Sequence, residues 1–445
     1  MQIDLENGKK MYALAQKLFP ITRSITGDGV RETLGILNDY IKDTGYSINI
    51  FEIPTGTEVF DWTVPKEWEI RDAYIEDEGG KKIIDFKENN LHVLGYSTPV
   101  DEWVDKEELL SHVYTQEDMP DAIPYVTSYY KERFGFCMSE NMKNSLPDGK
   151  YHMYIDSTLK DGSLTIGELL IPKEGKVEVF FNDEKNSDDD EILISTYTCH
   201  PSMANNECSG PSLAAQLIKY VASMPKRRYN YRFVFNPETI GSITYLSCNL
   251  EHLKKSVKAG FVLSCVGDDR DYSFIPSRYG DTLADRVIEN VLKSKDKYTK
   301  YSFLDRGSDE RQYCSPGVDL PVIGFCRSKY GTYPEYHTSK DDMTLVSEVG
   351  FEGSFDVMCQ VINALEYNQY YRTCVFCEPQ LGKRGLYPTV SKKGSYDSIL
   401  AMRDLIAFSD GKNDLLQISE YIKVPVSELI PIIDKLVENK LLETI

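Results

Sequence analysis

Residues 191–221, EILISTYTCHPSMANNECSGPSLAAQLIKYV, constrain the fold more than any other stretch. Glu191 to Thr198 mixes β-branched, aromatic and aliphatic residues over one strand length, the texture of a buried strand. Ser209-Gly210-Pro211 then opens a helix, with Ser209 as a good N-cap and Pro211 tolerated in the first turn, and Leu213, Leu217, Ile218 and Val221 follow at helical spacing. Between the two lie His200, just past the strand, and the polar turn Asn205-Asn206-Glu207. Ligands of open α/β sheets bind outside the carboxyl ends of the strands, so these residues occupy the expected place for a site. The plainer alternative is a turn whose His and Asn only satisfy backbone groups.

The same alternation continues downstream. Tyr231–Asn236, Gly260–Val266 and Pro321–Phe325 read as further buried strands, and Thr282–Lys293 and Ser347–Asn368 as helices. Residues 9–19 and 29–42 form two opening helices, whereas 48–171 is broken into short β-rich pieces. The expected fold is α/β, a mostly parallel sheet with helices on both faces, with an inserted β-rich domain and a further helical domain at the end. Successive strand ends and the loops after them deliver His200, Glu238, Asp268 and His337; two of the six histidines fall there. Histidines and carboxylates converging from several strand ends are the usual inventory of a hydrolytic metal site.

A chain of 445 residues has room for two or three domains. Its net charge of −20 argues against nucleic acid or an anionic membrane as principal partner. With no signal-like or long uncharged apolar run, the expected location is cytoplasmic. Ten cysteines without framework spacing then read as buried thiols, the lone pair Cys374 and Cys377 included. The acidic run 183–191 reads as a solvated loop.

The order His200-Pro201, a polar turn ending Ser209-Gly210, then Pro237-Glu238-Thr239-Ile240-Gly241-Ser242, Val266-Gly267-Asp268, Gly307-Ser308-Asp309-Glu310 and Tyr336-His337-Thr338-Ser339 resembles the co-catalytic di-zinc aminopeptidase superfamily. More closely, it resembles bacterial aminopeptidase-like proteins with an inserted β domain and a C-terminal winged helix. The resemblance implies an aminopeptidase-like domain at 1–47 and 172–379, an insert at 48–171 and a winged helix at 380–445. It implies zinc as cofactor, His200 and His337 as ligands, Glu238 as general base and a small peptide or amide as substrate. Three positions depart from that pattern. Asn206 stands where the bridging Asp is expected, Thr239 where a second Glu is expected, and Ser264 where the third-strand Asp is expected, leaving Asp268 as the nearest carboxylate. Each removes a negative charge, so one zinc is expected to bind well and a second weakly or not at all. Glu207 and Asp309 are candidate substitutes, and Tyr333 and Tyr336 flank His337 as candidate pocket residues. Single-zinc acyl or cyclising chemistry, and a catalytically silent binding protein, are the alternatives on the same fold.

Residues 396–445 carry three helices in a winged-helix pattern but hold five Lys or Arg against nine Asp or Glu. Association of copies through this domain is expected in place of DNA binding.

Overall fold

The computed structural model describes residues 5–129, 131–174, 189–386 and 397–445. Residues 183–188 of the acidic run lie outside them. The chain divides into two compact units, Met1–Gly280 with Lys300–Phe355, and Asp281–Thr299 with Asp356–Ile445.

The large sheet of the first unit runs in the order Asn49–Pro54, Ser163–Ile171, Asn230–Asn236, Glu191–Tyr197, Val257–Leu263, Val322–Cys326, Ser273–Ile275. Parallel pairing joins Asn230–Asn236 through Val322–Cys326, and antiparallel strands extend this centre on both sides. Every residue of Glu191–Tyr197 and Asn230–Asn236 is buried, which is why both lack polar alternation.

From Glu191–Tyr197 the chain passes through helix Ser209–Ser223 to Asn230–Asn236 on one side, then back through helix Ile240–Ser256 to Val257–Leu263 on the other. Right-handed crossovers in opposite directions put the two helices on opposite faces. They leave a crevice between the carboxyl ends of Glu191–Tyr197 and Asn230–Asn236, and His200 and Glu238 follow those two ends. Helices Glu6–Leu18 and Asp28–Ile41 pack on Ser209–Ser223 and bury Met11, Leu14, Leu18, Val30, Leu34 and Leu37 among others.

Two local expectations change. Ser209 is not an N-cap: a wide π-helical turn over Ala204–Cys208 already leads into the helix, and Ser209 Oγ donates to the Asn205 carbonyl (2.5 Å) while accepting from Val266 N (2.9 Å). The third strand ends at Leu263 because Cys265 turns the chain at φ 54°. Gly210 is required by proximity, since a Cβ there would run into Thr196 Oγ1 and the Leu263 carbonyl.

Within 48–171, strands Lys82–Asp85, Glu67–Asp77, Lys150–Lys160 and Val100–Asp105 form a separate antiparallel sheet over a core including Ala73, Ile75, Phe136 and Met153. Both ends of the stretch belong elsewhere: Asn49–Pro54 pairs with Ser163–Ile171, which pairs with Asn230–Asn236.

The second unit holds helices Asp397–Phe408, Leu415–Ile422 and Val426–Glu438. Its three-stranded sheet is centred on Tyr370–Thr373, which pairs with Asp410–Asp414 and Leu442–Thr444, so this module begins before 380. Helix Leu283–Leu292, expected in the α/β domain, belongs here: Arg286 grips Asp414 with two bonds (2.7 and 2.8 Å) and Asn290 Nδ2 donates to Ser419 Oγ (2.9 Å). No helix among the described residues is long and apolar enough to cross a membrane.

Candidate functional site

His200, Glu238 and His337 line one cavity of about 180 Å³, together with Ile25, Cys199, Thr239, Ile240 and, from the insert, Tyr125, Thr127 and Tyr129. The two imidazole centroids are 5.3 Å apart. His200 is 5% exposed, and its Nδ1 lies 3.0 Å from Glu207 Oε2. With Nδ1 held by that carboxyl, Nε2 faces Glu238 Oε2 at 3.8 Å. Burial, and then the Arg23 charge, lower the His200 pKa to about 3; burial and the neighbouring His200 also hold His337 neutral. Both rings therefore keep a lone pair for a ligand.

Glu238 is pushed up to about 8, first by burial and then by the nearby Asp309 charge. Asp309 itself is wholly buried and sits behind the wall, accepting from Thr239 N (2.8 Å), Ser242 Oγ (2.8 Å) and Asn236 Nδ2 (3.0 Å). Burial likewise raises Glu207 to about 8, against the pull of Arg23, whose Nε lies 3.5 Å from Glu207 Oε1 and donates to the His200 carbonyl (2.9 Å).

The other candidates lie in a hydrogen-bonded layer outside the cavity lining. Asn206 Nδ2 donates to Tyr197 Oη (2.6 Å), and Tyr197 Oη is 2.6 Å from Ser264 Oγ. Asp268 does not line the cavity: its oxygens accept from Asn205 Nδ2, Ser328 N, Ser328 Oγ and Arg270 N, each at 2.9 Å. Tyr333 Oη donates to Asp341 Oδ2 (2.9 Å), a carboxylate that also accepts from the backbones of Asn205 and Asn206. Tyr336 stacks on His337 with centroids 3.9 Å apart.

Buried polar atoms around this site that take no hydrogen bond include Asn206 Oδ1, Glu207 Oε1 and His337 Nε2. Orphaned atoms of this kind call for a ligand or ion. Cys199, His200 and Glu207 place potential ligand atoms within 4.8 Å of one another, so a group able to hold a metal exists here. Left-handed backbone at Ser202, Thr239, Cys265 and His337 marks the same place as strained.

Sequence reasoning missed Arg23, Tyr125, Thr127 and Tyr129, whose ITRS and YVTSYY contexts carry no motif. The insert is tied to the His337 loop by Tyr125 N donating to the His337 carbonyl, Ser339 N to the Ile123 carbonyl and Ile123 N to Ser339 Oγ, each 2.9 Å. That places the Tyr125 ring 5.2 Å from His200 and 5.1 Å from His337.

Residues 12–368 match the family described as a domain of unknown function, DUF4910, and residues 368–444 match a winged helix-turn-helix family. A Clostridium acetobutylicum protein, named provisionally as a polysaccharide biosynthesis protein with an aminopeptidase-like domain, is 44% identical over 94% of this chain and 92% of its own length. A crystal structure from Clostridium acetobutylicum, provisionally titled a peptidase, superposes with a TM-score of 0.89 at 42% identity, covering 99% of this chain and 97% of that one. BSAP, a zinc aminopeptidase from Bacillus subtilis, shares the fold with a TM-score of 0.57 at 11% identity over 82% of this chain and 96% of its own. The chain belongs to the DUF4910 family, built on the aminopeptidase fold and followed by a winged helix.

Proposed function

We propose that this protein is a metal-dependent hydrolase of an amide bond in a small peptide or amide, working with one zinc ion. The observation that carries the reading is the pair of neutral imidazoles, 5.3 Å apart, facing one cavity with Glu238 at the sheet's crevice. His200 and His337, which both line the cavity, would hold the metal. A second ion lacks its carboxylates: Thr239 and Ser264 offer only hydroxyls, and Asp268 is spent on four donors. Bound there, zinc supplies a Lewis acid that polarises the scissile carbonyl and acidifies water. In its ionised form, Glu238 takes a proton from the attacking water and passes it to the leaving nitrogen. Glu207 fixes the tautomer of His200, and Tyr125 covers the rings from the insert side.

The test is Glu238→Gln in protein purified without chelator. Hydrolysis of small anilides should fall by about 10²- to 10⁴-fold while metal content is retained. Undiminished turnover in the variant, or parent protein without metal, would sink the reading.

A further inference from the structure

We propose that the cavity receives the neutral acyl group of an N-acyl amide and excludes substrates bearing a free amino terminus. This narrows the substrate class of the hydrolase reading above and rests on it.

An enzyme that binds its substrate's amino terminus as an ammonium ion must hold that charge out of bulk water, and a carboxylate beside it is the usual means. The lining holds one carboxylate, Glu238, which the chemistry already uses. Asp309 and Glu207 stand close behind, but three donors occupy the oxygens of Asp309, and Glu207 faces His200 on one side and the Arg23 guanidinium on the other. Asp268 and Asp341 are engaged by backbone and side-chain donors of their own.

Two guanidinium groups also stand behind the wall. Arg311 Nη2 donates to Thr239 Oγ1 (2.5 Å), so a guanidinium backs a lining residue at the position where the resemblance leads one to expect a second Glu. Arg23 lies behind His200, bonded to its carbonyl. Both would repel an ammonium.

The remaining lining is neutral. Ile25, Ile240 and the rings of Tyr125 and Tyr129 offer apolar wall, and Thr127 and Thr239 add hydroxyls that suit an amide. About 180 Å³ is well under the ~300 Å³ at which pockets for drug-sized ligands begin, which suits a single small acyl group. In the reaction the water oxygen bonds to the acyl carbon and the carbon–nitrogen bond breaks. One water proton travels through Glu238 to the nitrogen, giving a small carboxylic acid and a free amine.

p-Nitroacetanilide and glycine p-nitroanilide differ only by the α-ammonium, which is largely charged at pH 7. With the full-length zinc-loaded chain, kcat/KM for p-nitroacetanilide should exceed that for glycine p-nitroanilide at least about tenfold. Equilibrium binding to the metal-free parent should follow the same order. Thr239→Glu should shift both ratios toward the glycine compound, and Arg311→Gln should do so independently if the first variant folds poorly. Preference for glycine p-nitroanilide in turnover and binding overturns the inference and leaves the hydrolase reading standing. Binding in the expected order with no turnover of either keeps the acyl site and overturns the hydrolase. Equal binding of the two compounds without turnover overturns both.

Discussion

The two ends of strand Glu191–Tyr197 treat buried polar groups in opposite ways. At the amino end, Glu191 accepts from Arg232 at 2.7 and 2.9 Å and lies 3.1 Å from His252 Nε2, while the same Arg232 pairs with Glu168 at 2.9 Å. Every charge there has a partner. At the carboxyl end, His337 Nε2 and Asn206 Oδ1 are buried without a hydrogen bond, and the backbone at Thr239 and His337 is left-handed. One strand thus joins a cluster whose charges pair with one another to a site whose polar atoms face a cavity, and a functional site of that kind is commonly less stable than a paired core.

The sharpest way to break this contrast is to unpair the amino end. Glu191→Ala leaves Arg232 buried without its main counter-charge and should cost about 3–5 kcal/mol in urea unfolding; a loss under 1 kcal/mol would remove the distinction. Acid tests the same cluster more gently. Burial alone would raise the Glu191 pKa, but Arg232 and His252 outweigh it and bring the carboxyl down to about 2. A depressed folded pKa stabilises above the unfolded value near 4.5, and the benefit fades as pH falls toward 2. The stability gap between parent and Glu191→Gln, about 3 kcal/mol at neutral pH, should therefore narrow from pH 4.5 downward. A gap independent of pH would show that the ionised form is not what stabilises.

At the carboxyl end, Asn206→Asp adds a negative charge in the hydrogen-bonded layer outside the cavity lining. It should tighten zinc on the order of tenfold in chelator competition, and unchanged affinity would place Asn206 outside the metal's reach. The smallest stability effect belongs to His337→Ala. It removes an orphaned nitrogen and should change unfolding free energy by less than about 1 kcal/mol while bound zinc is lost. A destabilisation as large as that of Glu191→Ala would make His337 a structural residue and erase the contrast.

The sequence made the carboxyl end legible where local pattern suffices. A strand, a polar turn and a helix signal themselves by period, and this located His200; the strand before Glu238 did the same. For Asp268, register can name the nearest carboxylate but cannot show that four donors already claim it and that it stays outside the cavity lining. Helix Leu283–Leu292 has the same amphipathic pattern whichever unit it packs in, so only Arg286 and Asn290 reveal its side. Tyr125 and Arg23 reach the site through partners remote in sequence, and no periodicity records such contacts.

The backbone bonds between the Ile123–Tyr125 segment and the His337–Ser339 loop bear on how the molecule is made. During synthesis the insert is complete long before residue 337 leaves the ribosome, so its edge at Pro124 must wait for the partner at Thr338. Until then the cavity lacks the side that His337 supplies and the backbone bonds that fix Tyr125 beside it. On the hydrolase reading proposed above, a chain cut short before that loop would lack His337 and hence one of the two proposed metal ligands.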